Sequence, residues 1–164
     1  MTIALTRRHL LGHAAAGATA LLALQVAGCR TTALLSLPGK GNSSNATDIL
    51  RRIRENEGLT PLVADRTLEK AAKEQAVLMA RAGKMNHTTG SGQDFLTRVR
   101  RNGIDGAAAE NIARGRFDME GLFLAWMNSS GHRRNMLDDR FTRFGLASAE
   151  ASEGGRYWAL IVAR

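Results

Sequence analysis

The stretch AWMNSSGHRRNML, residues 125–137, interrupts a helix and places a histidine just after the break. The helix before it begins after Asp118, a good N-terminal cap, and its inward-facing residues recur at helical spacing: Leu122, Ala125 and Trp126. Ser-Ser-Gly then favours a stop, so we expect His132 in a polar loop beyond the helix C-terminus. Asn135 is expected to hold that loop by turn or cap hydrogen bonds. The question is which other residues His132 acts with.

Three earlier helices are predicted from apolar spacing, caps and C-terminal glycines, over residues 47–58, 65–83 and 94–103. The first is expected to begin at Thr47 or Asp48. Two β-rich segments, RFGLASAE and RYWALIVAR, are separated by the hairpin signal ASEGG, and AENIARG predicts a further short strand. Because helices come first and strands last, we expect an α+β domain over residues 47–164, with helices packed on a small antiparallel sheet.

The N-terminus has the features of an export signal. Arg7 and Arg8 precede a short apolar run at residues 14–26, a pattern that fits a twin-arginine signal. This run is shorter than the ~20 residues of a spanning helix, although a weak N-terminal membrane anchor remains an alternative. The run ends in VAGC, which is similar to the lipobox of bacterial lipoproteins. The similarity implies a signal peptide at residues 1–28, cleavage before Cys29 and acylation of Cys29.

Cys29 is the only cysteine of the chain, so it forms no internal disulfide. Lipidation would explain a lone cysteine in an exported protein, and an ordinary cleaved signal with a free thiol is the alternative. Residues 29–46 are rich in Pro, Gly, Ser and Asn and are predicted to be a lipidated tether. We therefore expect a protein anchored to the cell envelope through the lipid on Cys29, without indication of which membrane.

The chain is basic, with a formal net charge of +8. Cleavage before Cys29 would remove Arg7 and Arg8 and no acidic residue, leaving about +6. The clusters RRIR at residues 51–54 and RVRR at residues 98–101 are predicted to lie on solvated helix faces. Such a charge favours membrane headgroups and anionic cell-wall polymers as partners. Nucleic acid is not expected, because the chain has a single Tyr and no aromatic-interleaved basic motif.

Three titratable residues form the candidate site. Of the 4 histidines, only His87 and His132 follow the predicted signal, and Glu110 lies between them in an otherwise small or apolar stretch. Two imidazoles and a carboxylate can bind a divalent metal, zinc above all, or perform general acid–base chemistry. Taken alone, the histidines could equally be ordinary surface residues. Glu110 could be an exposed carboxylate or an ion-pair partner of Arg114.

The motifs resemble those of the CAP superfamily, which includes cysteine-rich secretory proteins, antigen 5 and the plant pathogenesis-related 1 proteins. The similarity is greatest to short bacterial SCP-type domains and covers residues 47–164. It is carried, in family order, by ILRRIRENEGLTPLVAD, LEKAAKEQAVLMARAGKMNH, AENIARG, AWMNSSGHRRNML, FGLAS and YWALIVAR. The resemblance implies an α-β-α sandwich, with a small antiparallel sheet between helical layers and a cleft on one side.

The family's cleft carries two histidines and two glutamates, which hold a divalent metal in several members. His87, Glu110 and His132 match three of these positions, and Ser129 stands at the fourth. A serine hydroxyl is a poor zinc ligand, so weaker metal binding is expected and a two-carboxylate mechanism is excluded. The disulfides of the eukaryotic members are absent.

Three functions remain open from the sequence. The favoured one is a non-catalytic, membrane-tethered domain that binds a lipid, a cell-wall fragment or a protein in the cleft, with or without a metal. The alternative is a metal-dependent hydrolase using His87, Glu110 and His132, with Ser129 or Ser130 as an auxiliary donor. In the third, the three residues only brace loops by hydrogen bonds. Asn111 and Asn135 are expected to assist at the cleft. The sequence does not indicate an oligomeric state.

Overall fold

A computed structural model describes residues 39–164. The predicted signal with Arg7 and Arg8, and the predicted lipidation site Cys29, lie outside the described residues. The helices are α1 (Ser43–Glu55), α2 (Arg66–Ala82), α3 (Phe95–Arg101), α4 (Met119–Met127) and α5 (Ser130–Leu137). The strands are β1 (Gly39–Gly41), β2 (Val63–Ala64), β3 (Ala108–Gly115), β4 (Arg143–Glu150) and β5 (Arg156–Ala163).

The strands form one sheet in the order β1–β4–β5–β3, with antiparallel neighbours throughout. The two-residue β2 pairs in parallel with the beginning of β4. β4 and β5 form the predicted hairpin, whose turn uses Gly154 and Gly155 at φ of 88° and 82°, where glycine is favoured. The predicted strand at AENIARG is confirmed as β3, and β3 lies at one edge of the sheet.

Helices cover both faces of the sheet because side chains of the strands alternate between two apolar cores. On β5, Tyr157, Ala159 and Ile161 pack toward α2 and α3. Their neighbours Trp158, Leu160 and Val162 pack toward α1, α4 and α5. The sheet therefore separates two helical layers, which confirms the expected α+β class and α-β-α sandwich.

Helix α1 begins at Ser43, four residues before the predicted start at Thr47. Two long-range contacts favour this earlier start: Asn42 Nδ2 donates to Ser148 Oγ at 3.0 Å, and the Ser43 amide donates to Glu69 Oε2 at 2.9 Å. Just before it, β1 pairs with β4. Residues 39–46 thus belong to the folded domain, although their composition suggested a tether.

The Ser-Ser-Gly sequence separates two helices instead of introducing a loop. Helix α4 ends at Met127, and Ser129 has an extended backbone (φ −102°, ψ 118°) before α5 starts at Ser130. An extended residue before a first helical turn is typical of an N-cap position. His132 therefore lies in the first turn of α5, which corrects the expectation that it sits in a loop.

The arginine clusters are only partly solvated. Arg54 and Arg98 are among the largest fully buried side chains of the described chain, although both clusters were predicted to face solvent. Arg54 is surrounded by main-chain carbonyls, to which its guanidinium donates. Burial lowers the pKa of Arg54, and the charges of Asp138 and Asp139 act in the opposite direction.

Across residues 39–164, none of the helices combines the length and the apolar character that crossing a membrane requires.

Candidate functional site at the edge strand

Glu110 is the centre of a buried ion-pair network on the edge strand β3. Its side chain is 2 % exposed. The Nη2 atom of Arg98, from α3, lies 2.9 Å from Oε1 and 2.7 Å from Oε2 of Glu110. The Nδ1 atom of His87 lies 2.8 Å from the same Oε1. Both carboxylate oxygens of Glu110 are therefore engaged by partners from the α2–α3 side of the sheet.

The predicted alternative for Glu110, an ion pair with Arg114, is wrong. Arg114 pairs instead with Glu153 at the hairpin turn. Successive residues of a strand point to opposite faces, and Glu110 shares its face with Ile112, which packs in the α2–α3 core. Arg98 reaches that face from α3, so the partner comes from a different element.

Two buried side chains donate hydrogen bonds to the main chain of the loop that carries His87. Gln75 of α2 donates from Nε2 to the Asn86 carbonyl at 2.7 Å. Arg98 donates from Nη1 to the His87 carbonyl at 3.0 Å and also to the Gln93 carbonyl. The His87 side chain itself is 51 % exposed. The imidazole thus projects from a loop whose main chain is fixed by the interior.

His132 approaches β3 from the other helical layer. Its ring centroid lies 6.5 Å from that of Trp126, at an interplanar angle of 62°. Burial, and to a lesser extent the charge of His87, lower the pKa of His132. At neutral pH the ring of His132 is therefore uncharged and can act as a donor or an acceptor.

Two asparagines join His132 to the edge strand. Asn111 Nδ2 donates to the His132 carbonyl at 3.0 Å, and Asn135 Nδ2 donates to Asn111 Oδ1 at 2.9 Å. Because Glu110 and Asn111 are adjacent on β3, they face opposite helical layers. One therefore holds the His87 ring and the other holds the backbone of His132. We call His87, His132 and the two serines that begin the His132 helix, Ser129 and Ser130, the histidine face.

The two serines lie where α5 begins. Ser129 is its N-cap residue, yet its hydroxyl makes no cap hydrogen bond within residues 39–164, and Ser130 is exposed. The structure thus links His87 directly to Glu110. It links His132 to β3 through Asn111 and Asn135, and the two serines lie at the start of the helix that carries His132.

The expected ligand set of His87, Glu110 and His132 does not fit a divalent ion. Among the described residues, no three His, Cys, Asp or Glu side chains are arranged as a metal site. Glu110 would have to release Arg98 or His87 before it could coordinate an ion. Ser129 adds no carboxylate. Two imidazoles remain as nitrogen donors on the histidine face.

Two surface depressions of the described domain lie away from the histidines. One of about 510 Å³ is bordered by Leu59, Arg134 and residues 137–140. Another of about 210 Å³ lies between α1 and α4, where Ile49, Ile53, Phe123 and Leu124 form an apolar groove. Neither is lined by His87, Glu110 or His132. The histidine face is therefore distinct from both depressions.

Sequence reasoning missed Arg98 and its part in the site. A signal was available, because Phe95, Arg98 and Val99 share one stripe of α3 at i, i+3 and i+4 spacing, and Val99 is buried. Gln75 gave a similar signal as the single polar residue on the apolar stripe of α2. A polar side chain on an apolar stripe indicates a buried hydrogen-bonding role.

A small antiparallel sheet between helical layers, with two histidines and a glutamate at its edge strand, defines an SCP-type sandwich domain. The chain belongs to the CAP family (Cysteine-rich secretory protein family), whose model matches residues 47–162. It is 38% identical over 109 residues to the uncharacterised protein YkwD of Bacillus subtilis. The match includes 64% of this chain and 40% of YkwD, so the chain spans well under two thirds of that relative.

Solved structures show the same fold. An extracellular SCP-domain protein from Bacillus anthracis matches with a TM-score of 0.65 and 24% identity, over 74% of this chain and 39% of that chain. An outer surface protein from Borrelia burgdorferi matches with a TM-score of 0.66 and 20% identity, over 77% and 98%. A cysteine-rich secretory protein from Staphylococcus aureus matches with a TM-score of 0.57 and 21% identity, over 73% and 37%.

Proposed function

We propose that this protein is an exported, membrane-tethered recognition domain of the bacterial cell envelope. It is non-catalytic, and its histidine face binds a polar cell-wall fragment. Two of the similar structures are described as an extracellular protein and an outer surface protein, which supports the location. The signal at residues 1–28 and the lipobox-like end at Cys29 support it independently.

The observation that carries the non-catalytic proposal is that Arg98 balances the charge of the Glu110 carboxylate. A general base must lie within reach of the proton that it removes. Glu110 is 2 % exposed, and both of its oxygens face Arg98 and His87. Around it, the histidine face offers imidazole and hydroxyl groups. Such groups hydrogen-bond the hydroxyls and amides of a glycan or a short peptide without requiring a charged ligand.

A binding experiment tests the ligand class. Protein produced from residue 30 would be titrated with solubilised peptidoglycan fragments, beside a variant carrying His87→Gln and His132→Gln. We expect binding that the double variant weakens at least about tenfold, equivalent to 1.4 kcal/mol. Equal binding by both proteins, or none by either, would rule out the histidine face as the glycan site.

In the alternative proposal the ligand is a lipid, and it would bind in the apolar groove between α1 and α4. Leu124 is 62% exposed there. The same protein would be mixed with a fluorescent fatty acid, beside Leu124→Ser. Lipid binding that Leu124→Ser abolishes and the histidine variants leave intact would replace the glycan proposal by a lipid-binding one.

The proposed location at the membrane is tested separately, by substitutions in the N-terminal region. Changing Cys29→Ala should move the protein from the membrane fraction to the soluble fraction, with Ser36→Ala in the tether as a neutral control. Retention on the membrane would exclude lipidation as the anchor. Changing Arg7 and Arg8 to Lys should block export by the twin-arginine route, whereas continued export would indicate the general secretion route.

A metal-dependent hydrolase is the second candidate, and one contact favours it. A carboxylate bound to one ring nitrogen of a histidine is a common arrangement behind a zinc-ligating histidine, and Glu110 contacts His87 in this way. Zinc titration by calorimetry, beside His132→Ala, is the first test. Zinc binding that His132→Ala removes would support a metal site at the two imidazoles and would justify a hydrolase screen. No binding would leave the metal-free recognition domain.

A further inference from the structure

Arg98 acts on His87 at two points, directly at its main chain and through Glu110 at its ring. Its Nη1 donates to the main-chain carbonyl of His87 at 3.0 Å. Its Nη2 holds Glu110, which in turn contacts the His87 ring at Nδ1. Arg98 is 0% exposed. One buried guanidinium thereby fixes the position of the loop and the orientation of the imidazole.

The charge of Glu110 explains why a cation is needed in this place. A buried carboxylate is tolerated only when an opposite charge and hydrogen bonds compensate the loss of water. Arg98 supplies the charge and a planar fork of donors that reaches two main-chain carbonyls and the carboxylate, whereas a lysine ammonium is a compact point charge. Within the described residues, the guanidinium of Arg98 is thus the cation that balances the charge of Glu110.

This arrangement determines the protonation of the His87 ring. A carboxylate paired with arginine is an acceptor only, so the hydrogen bond at Nδ1 requires the proton on the histidine. In the tautomer that this hydrogen bond selects, Nδ1 carries the proton and Nε2 carries none. Nε2 makes no hydrogen bond to any residue in the described part of the chain and belongs to a half-exposed side chain. His87 therefore presents an acceptor to ligands.

We propose that Arg98 is the positioning residue of the histidine face: its guanidinium serves as a resident cation that fixes His87 with Nε2 available and withholds Glu110 from metal ions. The inference concerns the framework of the site, and it stands whichever ligand the histidine face binds. It also explains why His87, Glu110 and His132 do not fit a divalent metal ion: Arg98 pairs with the Glu110 carboxylate, which would otherwise complete the ligand set.

The first test determines the tautomer of His87, first in the unsubstituted protein and then in Arg98→Lys. Nitrogen-15 spectra of the His87 ring in the full chain, or in the protein from residue 30, report which ring nitrogen carries the proton. We expect the Nδ1-protonated form at pH 7.5, and Arg98→Lys, which keeps a cation but loses the fork, should retain it only in part. A ring protonated mainly on Nε2 in the unsubstituted protein would overturn the proposal.

The second test measures zinc affinity when the resident cation is removed. Arg98→Met should bind zinc at least about tenfold more tightly than the unsubstituted protein, since Glu110 becomes available as a ligand beside the imidazoles. The double variant Arg98→Met, Glu110→Gln is the matched control and should lose that gain. No gain in folded Arg98→Met, or a gain that persists in the double variant, would show that Arg98 does not withhold Glu110. Should Arg98→Met fail to fold, the ring spectra of the unsubstituted protein still decide the proposal.

Discussion

Asn111 and Asn135 form an amide–amide hydrogen bond of 2.9 Å between the edge strand β3 and helix α5. Asn111 is buried, and its own amide donates to the His132 carbonyl at 3.0 Å. Asn135 also donates to the Glu110 carbonyl at 3.4 Å. β3 has no strand on its outer side in the described sheet, and these hydrogen bonds join it to α5.

Asn135→Ala should therefore destabilise the domain more than an exposed asparagine change. The substitution leaves the buried Oδ1 of Asn111 without its donor, and an unpaired buried acceptor costs about 1–3 kcal/mol. Denaturant unfolding measures the loss, with Asn128→Ala, at the exposed end of α4, as the control expected within about 0.5 kcal/mol. Equal effects of the two substitutions would mean that the amide pair contributes nothing.

The sequence predicted the elements whose signals are local. Helix α2 begins after Asp65 and ends at Gly83, as its cap and glycine indicated, and the β4–β5 hairpin follows its turn sequence. Helix α1 starts earlier than predicted because Asn42 and Ser43 bind Ser148 and Glu69, which lie far away in the chain. Contacts of this kind have no local pattern in a single sequence.

The sequence indicated the titratable residues of the candidate site but not the hydrogen bonds that connect them to the rest of the domain. His87 and Glu110 are brought together as the family resemblance implied. Arg98 was assigned to solvent because arginine is rarely buried without a partner, and its partner is visible only once α3 packs against β3. Ser-Ser-Gly by itself predicts a stop, because the second helix beginning at Ser130 depends on the packing of Met136 in the core.

Arg54 is expected to be essential for stability although it belongs to a cluster, residues 51–54, that was predicted to face solvent. Its guanidinium donates to the carbonyls of Thr60, Met136, Asp138 and Phe141, at 2.7 to 3.4 Å. Arg54→Met should lower the free energy of unfolding by about 3 kcal/mol or more, because several buried carbonyls lose their donor. Arg51→Met on the same helix removes only exposed ion pairs and should cost at most about 1 kcal/mol. Similar losses in both variants would contradict the structural role of Arg54.

Gly145 allows α2 to lie directly on β4. A Cβ at this position would overlap the backbone atoms of Leu68 and Glu69, which cannot move aside as a side chain could. Gly145→Ala should destabilise the domain by about 3 kcal/mol, at the upper end for overpacking. Gly131→Ala is the matched control, since its nearest neighbour would be the end of the Arg134 side chain at 4.0 Å. A near-neutral thermal unfolding midpoint for Gly145→Ala would show that the helix can shift away from the strand.

His132 should make the stability of the domain depend on pH. Burial, then the charge of His87, lower the pKa of His132 below its ordinary value of 6.5. The unfolded chain therefore takes up the proton first as pH falls through 6.5, and the free energy of unfolding declines until the pKa of folded His132 is passed. Above pH 7 both states are neutral at this residue and it contributes no pH dependence.

The measurement is the urea midpoint between pH 7.5 and pH 5, compared between the unsubstituted protein and His132→Gln. The glutamine variant keeps a polar side chain but cannot titrate, so its midpoint should fall less steeply with decreasing pH. Any contribution of His87 is present in both proteins and cancels in the comparison, apart from its coupling to His132. Parallel curves would mean that the partly buried ring of His132 is protonated as readily in the folded domain as in the unfolded chain, and the uncharged imidazole assigned to the histidine face would then be wrong.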